Sequence, residues 1–187
     1  MNANIQIEIY SDGSVNPKLK VGVGAIAIIS HELSLIAEKP TDLPLHFKLP
    51  IALRTYHDVT CAKLEIIAVL WALKEFESQK NTSSLKNTRP LTPLIIYTDS
   101  KTVAELPGRR AKLEKNEFNS RRTGERLSNG ELYIEFFEIW DRISYCFDVK
   151  IQWLKGHTPK SERSRIQLNF AEIDQAARAE LRKVLST

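Results

Sequence analysis

Cysteine is nearly absent: Cys61 and Cys146 are the only two among 187 residues. Each sits within an apolar helical pattern, which suits buried reduced thiols and argues against a disulfide framework or a zinc site. Long hydrophobic runs are missing as well. No apolar stretch approaches the ~20 residues that span a bilayer, and the opening MNANIQIEIYSDG has no basic region followed by an apolar one. The expectation is a cytoplasmic protein with no membrane contact. Internal repeats and low-complexity tracts are also lacking, which leaves an ordinary packed chain.

What is present agrees with that. Hydrophobic residues make up 42% and charged residues 27%, values typical of a globular protein. The length suits one well-buried core and is short for two, so residues 1–187 are expected to form a single domain, taken as a monomer. A formal net charge of +4 and a pI near 9.0 favour an anionic partner only weakly, and distribution says more. Between Glu105 and Gly130 lie seven cations, Arg109, Arg110, Lys112, Lys115, Arg121, Arg122 and Arg126, against four anions. Such a segment is either a solvated helix face or a phosphate-binding surface.

Residues 5–10 alternate apolar and polar, and Ser11-Asp12-Gly13-Ser14 breaks the alternation, which predicts a strand ending in an aspartate. Further strands are expected over 21–29 and 33–37, then an irregular excursion over 38–58 with three prolines. Thr60 can cap a helix over 61–79 that contains Glu65. A near-continuous apolar strand over 94–97 runs into Thr98-Asp99-Ser100. A helix over 132–143 and a strand over 149–154 come next, followed by a polar loop over 158–167. Asn169 to Glu172 has the form of a capping box opening a helix to about residue 181, with Asp174 in its first or second turn. The fold class is α/β: a five-stranded mixed sheet, antiparallel meander first and parallel strands after, covered by helices.

Four acids from separate regions, Asp12, Glu65, Asp99 and Asp174, could converge at the carboxyl edge of such a sheet, where ligands gather. Each has a plainer role available. Asp-Gly-Ser is a common turn, Asp99 could cap a helix, and Asp174 could face a helix dipole. Glu65 is harder to place, because a carboxylate among Leu64, Ile66 and Ile67 needs a partner or a solvent-facing turn. Oxygen donors of this kind suit Mg²⁺ or Mn²⁺ and not zinc.

These residues resemble the type-one ribonucleases H. Tyr10-Ser11-Asp12-Gly13-Ser14 with Gly22-Val23-Gly24-Ala25 is similar to the family's first hairpin, and Thr60 to Glu65 to its second motif. Ile96-Tyr97-Thr98-Asp99-Ser100 is similar to the third, Trp153-Leu154-Lys155-Gly156-His157 to the turn before the last acid, and Ile173-Asp174-Gln175-Ala176-Ala177-Arg178 to the closing helix. The resemblance implies a ribonuclease H-like fold and endonucleolytic hydrolysis of the RNA strand of RNA·DNA hybrids. It implies two Mg²⁺ ions, with Mn²⁺ as a substitute, held by Asp12, Glu65, Asp99 and Asp174, and products with 5′-phosphate and 3′-hydroxyl ends. His157 would move protons or release product. Gly13, Ser14, Thr60 and Lys155 would touch the hybrid. Residues 105–130 would form a basic handle gripping it through Arg109, Arg110, Lys112, Lys115, Arg121 and Arg122.

The chain departs from the family at Cys61 and Ala62, where some members carry asparagines that touch the hybrid's minor groove. The loop before Asp174 is long, and Glu172 competes for the role of fourth acid. A separate hybrid-binding module is not expected. Three alternatives stand beside the hybrid nuclease: a resolvase-like nuclease acting on DNA, a non-catalytic hybrid- or RNA-binding domain, and a structural domain of a larger replication or retroelement assembly.

Overall fold

The alternation that begins at Ile7 makes a two-faced strand, since successive side chains point to opposite sides of a sheet. The computed structural model describes residues 6–30, 49–79, 91–155 and 163–186. Strand β1 (Ile7–Asn16) pairs antiparallel with β2 (Val21–Ser30), and β2 pairs antiparallel with β3 (Ile51–His57). Helix α1 (Cys61–Gln79) leads to β4 (Thr92–Thr98), which lies parallel to β1. Two short helices, α2 (Lys101–Ala104) and α3 (Leu106–Lys115), precede α4 (Gly130–Ser144). Strand β5 (Phe147–Trp153) runs parallel to β4, and α5 spans Arg165–Ser186. The strand order is β3-β2-β1-β4-β5, the mixed five-stranded sheet that the sequence pattern predicts. Among the described residues, no helix is long and apolar enough to cross a membrane.

Four local expectations change. The strand predicted over 33–37 lies outside the described residues, as do residues 38–48 of the excursion and 80–90 of the loop before β4. The third described strand is Ile51–His57, inside the predicted excursion. Its residues are mostly exposed because it is an edge strand, so it carries no apolar face for a periodicity test to find. Strand β1 does not stop at Asp12: Gly13 pairs with Gly24 and the ladder continues to Asn16. Cys61 is exposed as the first residue of α1, whereas Cys146 is buried. Helix α5 begins at Arg165, one turn before the supposed capping box, and Asn169 is buried with its amide on the Tyr10 hydroxyl.

The two faces of β1 serve different helices. Ile7 and Ile9 belong to the core shared with α1, α3 and α4, together with Phe76, Ile96 and Phe136. Tyr10 belongs to the core under α5, with Tyr97, Ile173 and Ala177. On the α1 side, the hairpin accepts Leu64 at two glycines. A Cβ at Gly13 or at Gly22 would stand 2.8 Å from Leu64 Cδ2, so a side chain at either would push α1 away. On the α5 side lies Glu8, only 1% exposed. Arg165 grips it with both guanidinium arms, Nη2 to Oε1 at 2.6 Å and Nη1 to Oε2 at 2.9 Å. The Tyr10 hydroxyl donates to the same carboxylate at 2.9 Å.

This pair explains the early start of α5: a carboxylate buried without a cation is costly, and Arg165 answers it by bringing a further turn of helix onto the sheet. Arg165→Met should therefore destabilise the protein by about 3 kcal/mol, and Glu8→Gln/Arg165→Met should recover more than half of that loss. Urea unfolding of the two variants measures both. Equal destabilisation by the single and double changes would show that the pair does not act as a unit.

Candidate active site

Period-two alternation places Asp12 on the same face of β1 as Glu8 and Tyr10, toward α5. The parallel pairing of β1 with β4 ends at Tyr10 and Tyr97, so Asp12 stands just beyond the carboxyl end of β4, and Asp99 follows that end directly. Asp12 is 8% exposed. Its carboxyl is pushed up to about 7, first by burial, then by the negative charge of Asp99, with Asp174 adding to the push and the Gly13 backbone amide opposing it. Asp174, in the third turn of α5, is the helix acid that bears on Asp12. Glu172, its competitor from the sequence, is exposed.

Glu65 reaches the region from the other face. It is half-buried on the first turns of α1, which Thr60 caps by accepting from the Lys63 amide at 3.2 Å. The partner that Glu65 requires is Ser100, whose hydroxyl donates to its carboxylate. Ser100 is itself buried and caps α2 by accepting from the Val103 amide at 3.3 Å. Asp99, between Thr98 and Ser100, is exposed. Its backbone carbonyl accepts from the Trp153 indole at 2.9 Å, so the end of β5 steadies the loop that carries Asp99. Sequence reasoning missed both Ser100 and Trp153 as positioning residues. The signal for Ser100 was available, since a serine between an acid and a helix start is a cap with a hydroxyl proton to give.

Among the described residues, no three His, Cys, Asp or Glu side chains stand close enough together to clasp an ion as they are placed. Asp12 nevertheless lies within the electrostatic reach of two other carboxylates. Asp12 and Asp174 stand within hydrogen-bond reach of each other and Asp99 bears on Asp12 by charge, without three of these side chains clasping one point. An all-oxygen set of carboxylates, two of which push the Asp12 carboxyl upward, fits a hard divalent cation, which would offset that repulsion.

The expected nucleic-acid contacts divide into two groups. Gly13 and Ser14 continue β1 past Asp12, Thr60 is exposed at the α1 cap, and Lys155 is exposed two residues past β5. His157 lies outside the described residues. In the basic segment, α2 and α3 leave from the Asp99 end of the sheet. Arg110 is committed to structure there: it binds Asp141 through both terminal nitrogens and Glu114 at 2.7 Å, and its guanidinium lies 5.1 Å from the Phe137 ring centre. The Asp141 carboxyl is held below the usual range by that guanidinium. Arg126 similarly ties Glu131 to the Phe118 ring. Arg109, Lys112, Lys115 and Arg122 enter no ion pair among the described residues, and Arg121 makes a 3.3 Å hydrogen bond to Asn116.

This arrangement is similar to solved structures. The RNase H domain of PFV is 22% identical, with 95% of this chain and 94% of that one covered and a TM-score of 0.60. A foamy viral protease-reverse transcriptase solved in complex with RNA/DNA hybrid is 18% identical with a TM-score of 0.62; 94% of this chain matches, spanning only 20% of that protein. LC11-RNase H1, isolated from compost, is 14% identical, with 96% and 98% covered and a TM-score of 0.53. At these identities the likeness establishes the fold. No curated protein sequence matches the chain. The RNase H family model matches residues 4–182, and on that match the chain, with its acids at the carboxyl edge of the sheet, belongs to the RNase H family.

Proposed function

We propose that this chain hydrolyses the RNA strand of RNA·DNA hybrids endonucleolytically, leaving 5′-phosphate and 3′-hydroxyl ends, with Asp12, Glu65, Asp99 and Asp174 holding two Mg²⁺ ions or Mn²⁺ in their place. The observation that carries this reading is the placing of buried Asp12 beside Asp99 and Asp174 at the carboxyl edge of the sheet, where burial first and then their charges raise its carboxyl, in a chain of the RNase H family. That a foamy viral relative is solved with RNA/DNA hybrid supports the same substrate class here. When bound, the two cations supply Lewis acidity to both the attacking and the departing oxygen of an in-line displacement.

The chain's own residues bind, orient and exchange protons. Burial of Asp12 limits the screening of its own interactions with Asp99 and Asp174, which strengthens them. Ser100 orients Glu65 and Trp153 steadies Asp99, so two acids on different elements are held from behind. His157 is the proton carrier in this scheme. Gly13, Ser14, Thr60 and Lys155 meet the hybrid beside the acids. Arg109, Lys112, Lys115, Arg121 and Arg122 hold phosphates, while Arg110 clips α3 to α4. The intact set of four acids favours an enzyme over a binding domain that has lost its chemistry.

Three outcomes test this reading. End-labelled RNA·DNA hybrid should be cut in its RNA strand with Mg²⁺, and Asp12→Asn should lower the rate by at least about a thousandfold. Cleavage of duplex DNA at a comparable rate would move the chain to another activity of this fold.

The second outcome concerns stability. Asp12 has a folded pKa near 7 against an ordinary value of 3.8, so between these limits the folded protein holds a proton that the unfolded chain releases. Its contribution is favourable at low pH and is lost as pH rises through about 7. In EDTA at pH 8, Asp12→Asn should therefore raise stability by about 2 kcal/mol, or roughly 5 °C in Tm. Mg²⁺ should raise the Tm of the unaltered protein more than that of the variant. A variant less stable than the parent under those conditions would show that Asp12 is not held against its neighbours' charge.

The third separates the two kinds of arginine and lysine. Lys112→Gln/Lys115→Gln should weaken hybrid binding about tenfold and flatten its salt dependence by about two contacts. Arg110→Gln should instead lower Tm. The reverse pattern, read by fluorescence anisotropy and thermal unfolding, would refute the division.

A further inference from the structure

Asp12 and Asp174 stand on two segments that run on side by side beyond the acids. Strand β1 continues through Ser14 to Asn16 and into the turn containing Lys18. Helix α5 continues with Arg178, Leu181, Arg182 and Leu185, spaced so that they share one stripe with Asp174. Between these walls lies a cavity of about 460 Å³, lined by residues 14–18 and by those four helix residues. Its lining combines apolar Val15, Pro17, Leu181 and Leu185 with the cations Lys18, Arg178 and Arg182 and the neutral Ser14 and Asn16. No acid lines it. Arg178 Nε stands 2.6 Å from Asp174 Oδ1, so one of these cations reaches back to the acids. Lys18 and Arg182 enter no ion pair among the described residues.

We infer that this groove takes the polynucleotide strand as it leaves the acids, with backbone phosphates on Lys18 and Arg182 and sugar edges against the apolar side chains. The inference rests on the hybrid-binding reading above and extends it to a surface away from the basic segment of residues 105–130. Charge complementarity and continuity carry it. Every charged residue lining it is a cation, and its two walls continue from Asp12 and Asp174, so a strand seated at those acids needs no change of direction to enter. From Asp174 to Arg182 is eight helical residues, about 12 Å, which matches roughly three or four base-pair steps. An acidic peptide would satisfy the same cations but gains nothing from that continuity.

The test is binding of a fluorescent hybrid in EDTA, where cleavage does not intervene, to the full chain, to Lys18→Gln/Arg182→Gln, and to Lys74→Gln/Lys150→Gln as a pair of equal charge change on other elements. The groove pair should weaken binding about tenfold at ~0.1 M salt and reduce the salt slope by about two, with the control pair within about twofold of the parent. Thermal unfolding checks that all three proteins are folded. A groove pair indistinguishable from the control pair overturns the inference, as does a parent protein that binds no hybrid at low salt. Polyglutamate that displaces the hybrid as well as unlabelled hybrid does also overturns it, in favour of a generic anion or peptide site. Cleavage is measured separately on the parent. A hybrid that is cut while the groove pair matches the control removes the groove alone, and a hybrid bound through the groove yet never cut removes the proposed activity alone.

Discussion

A carboxylate that is 1% exposed in the middle of a sheet has to be answered by a cation, and the answer given to Glu8 organises half of the molecule. Arg165 meets it in a two-armed pair, and Arg165 is the first residue of α5. The helix therefore cannot slide or rotate along the sheet without breaking two charge-assisted hydrogen bonds in a poorly solvated place. Asn169, one turn on, adds its own bond to the Tyr10 hydroxyl. Registration of α5 then fixes Asp174, because helical spacing carries the position of Arg165 forward through about two and a half turns. Glu8, Tyr10 and Asp12 are consecutive residues on one face of β1, so the contact that seats the helix and the acid that the helix approaches share a single strand.

The other face works by shape. Leu64 enters where Gly13 and Gly22 leave room, and its neighbour Glu65 is carried toward the sheet edge. There Ser100 meets it with a hydroxyl. A charge pair on one side and a steric fit on the other thus bring acids from two helices toward a strand end. Neither device draws three acids into one clasp among the described residues.

What was legible in the sequence followed the strength of the local signal. Asp12, Glu65, Asp99 and Asp174 stand in short motifs with distinctive neighbours, and the apolar helices and parallel strands show their periods, so the sheet and its order of elements could be read. Strand Ile51–His57 could not, because an exposed edge strand has no apolar alternation. The start of α5 was misplaced because the force that sets it comes from Glu8, 157 residues away along the chain, and not from a local cap. Arg110 looked like any other cation of its segment. Only the tertiary fold brings Asp141 and Phe137 to it and separates it from the unpaired lysines nearby.

Trp153 has an optical consequence. Of the three tryptophans, Trp71 is buried and Trp140 is half-buried in the helical core, while Trp153 is 47% exposed and bonded through its indole nitrogen to the carbonyl of Asp99. Solvent polarity governs indole emission, and Trp153 is the tryptophan whose surroundings change most when anything settles beside that loop. The protein thus carries a native fluorophore at the rim of its acid cluster, so occupancy can be followed in real time without a label.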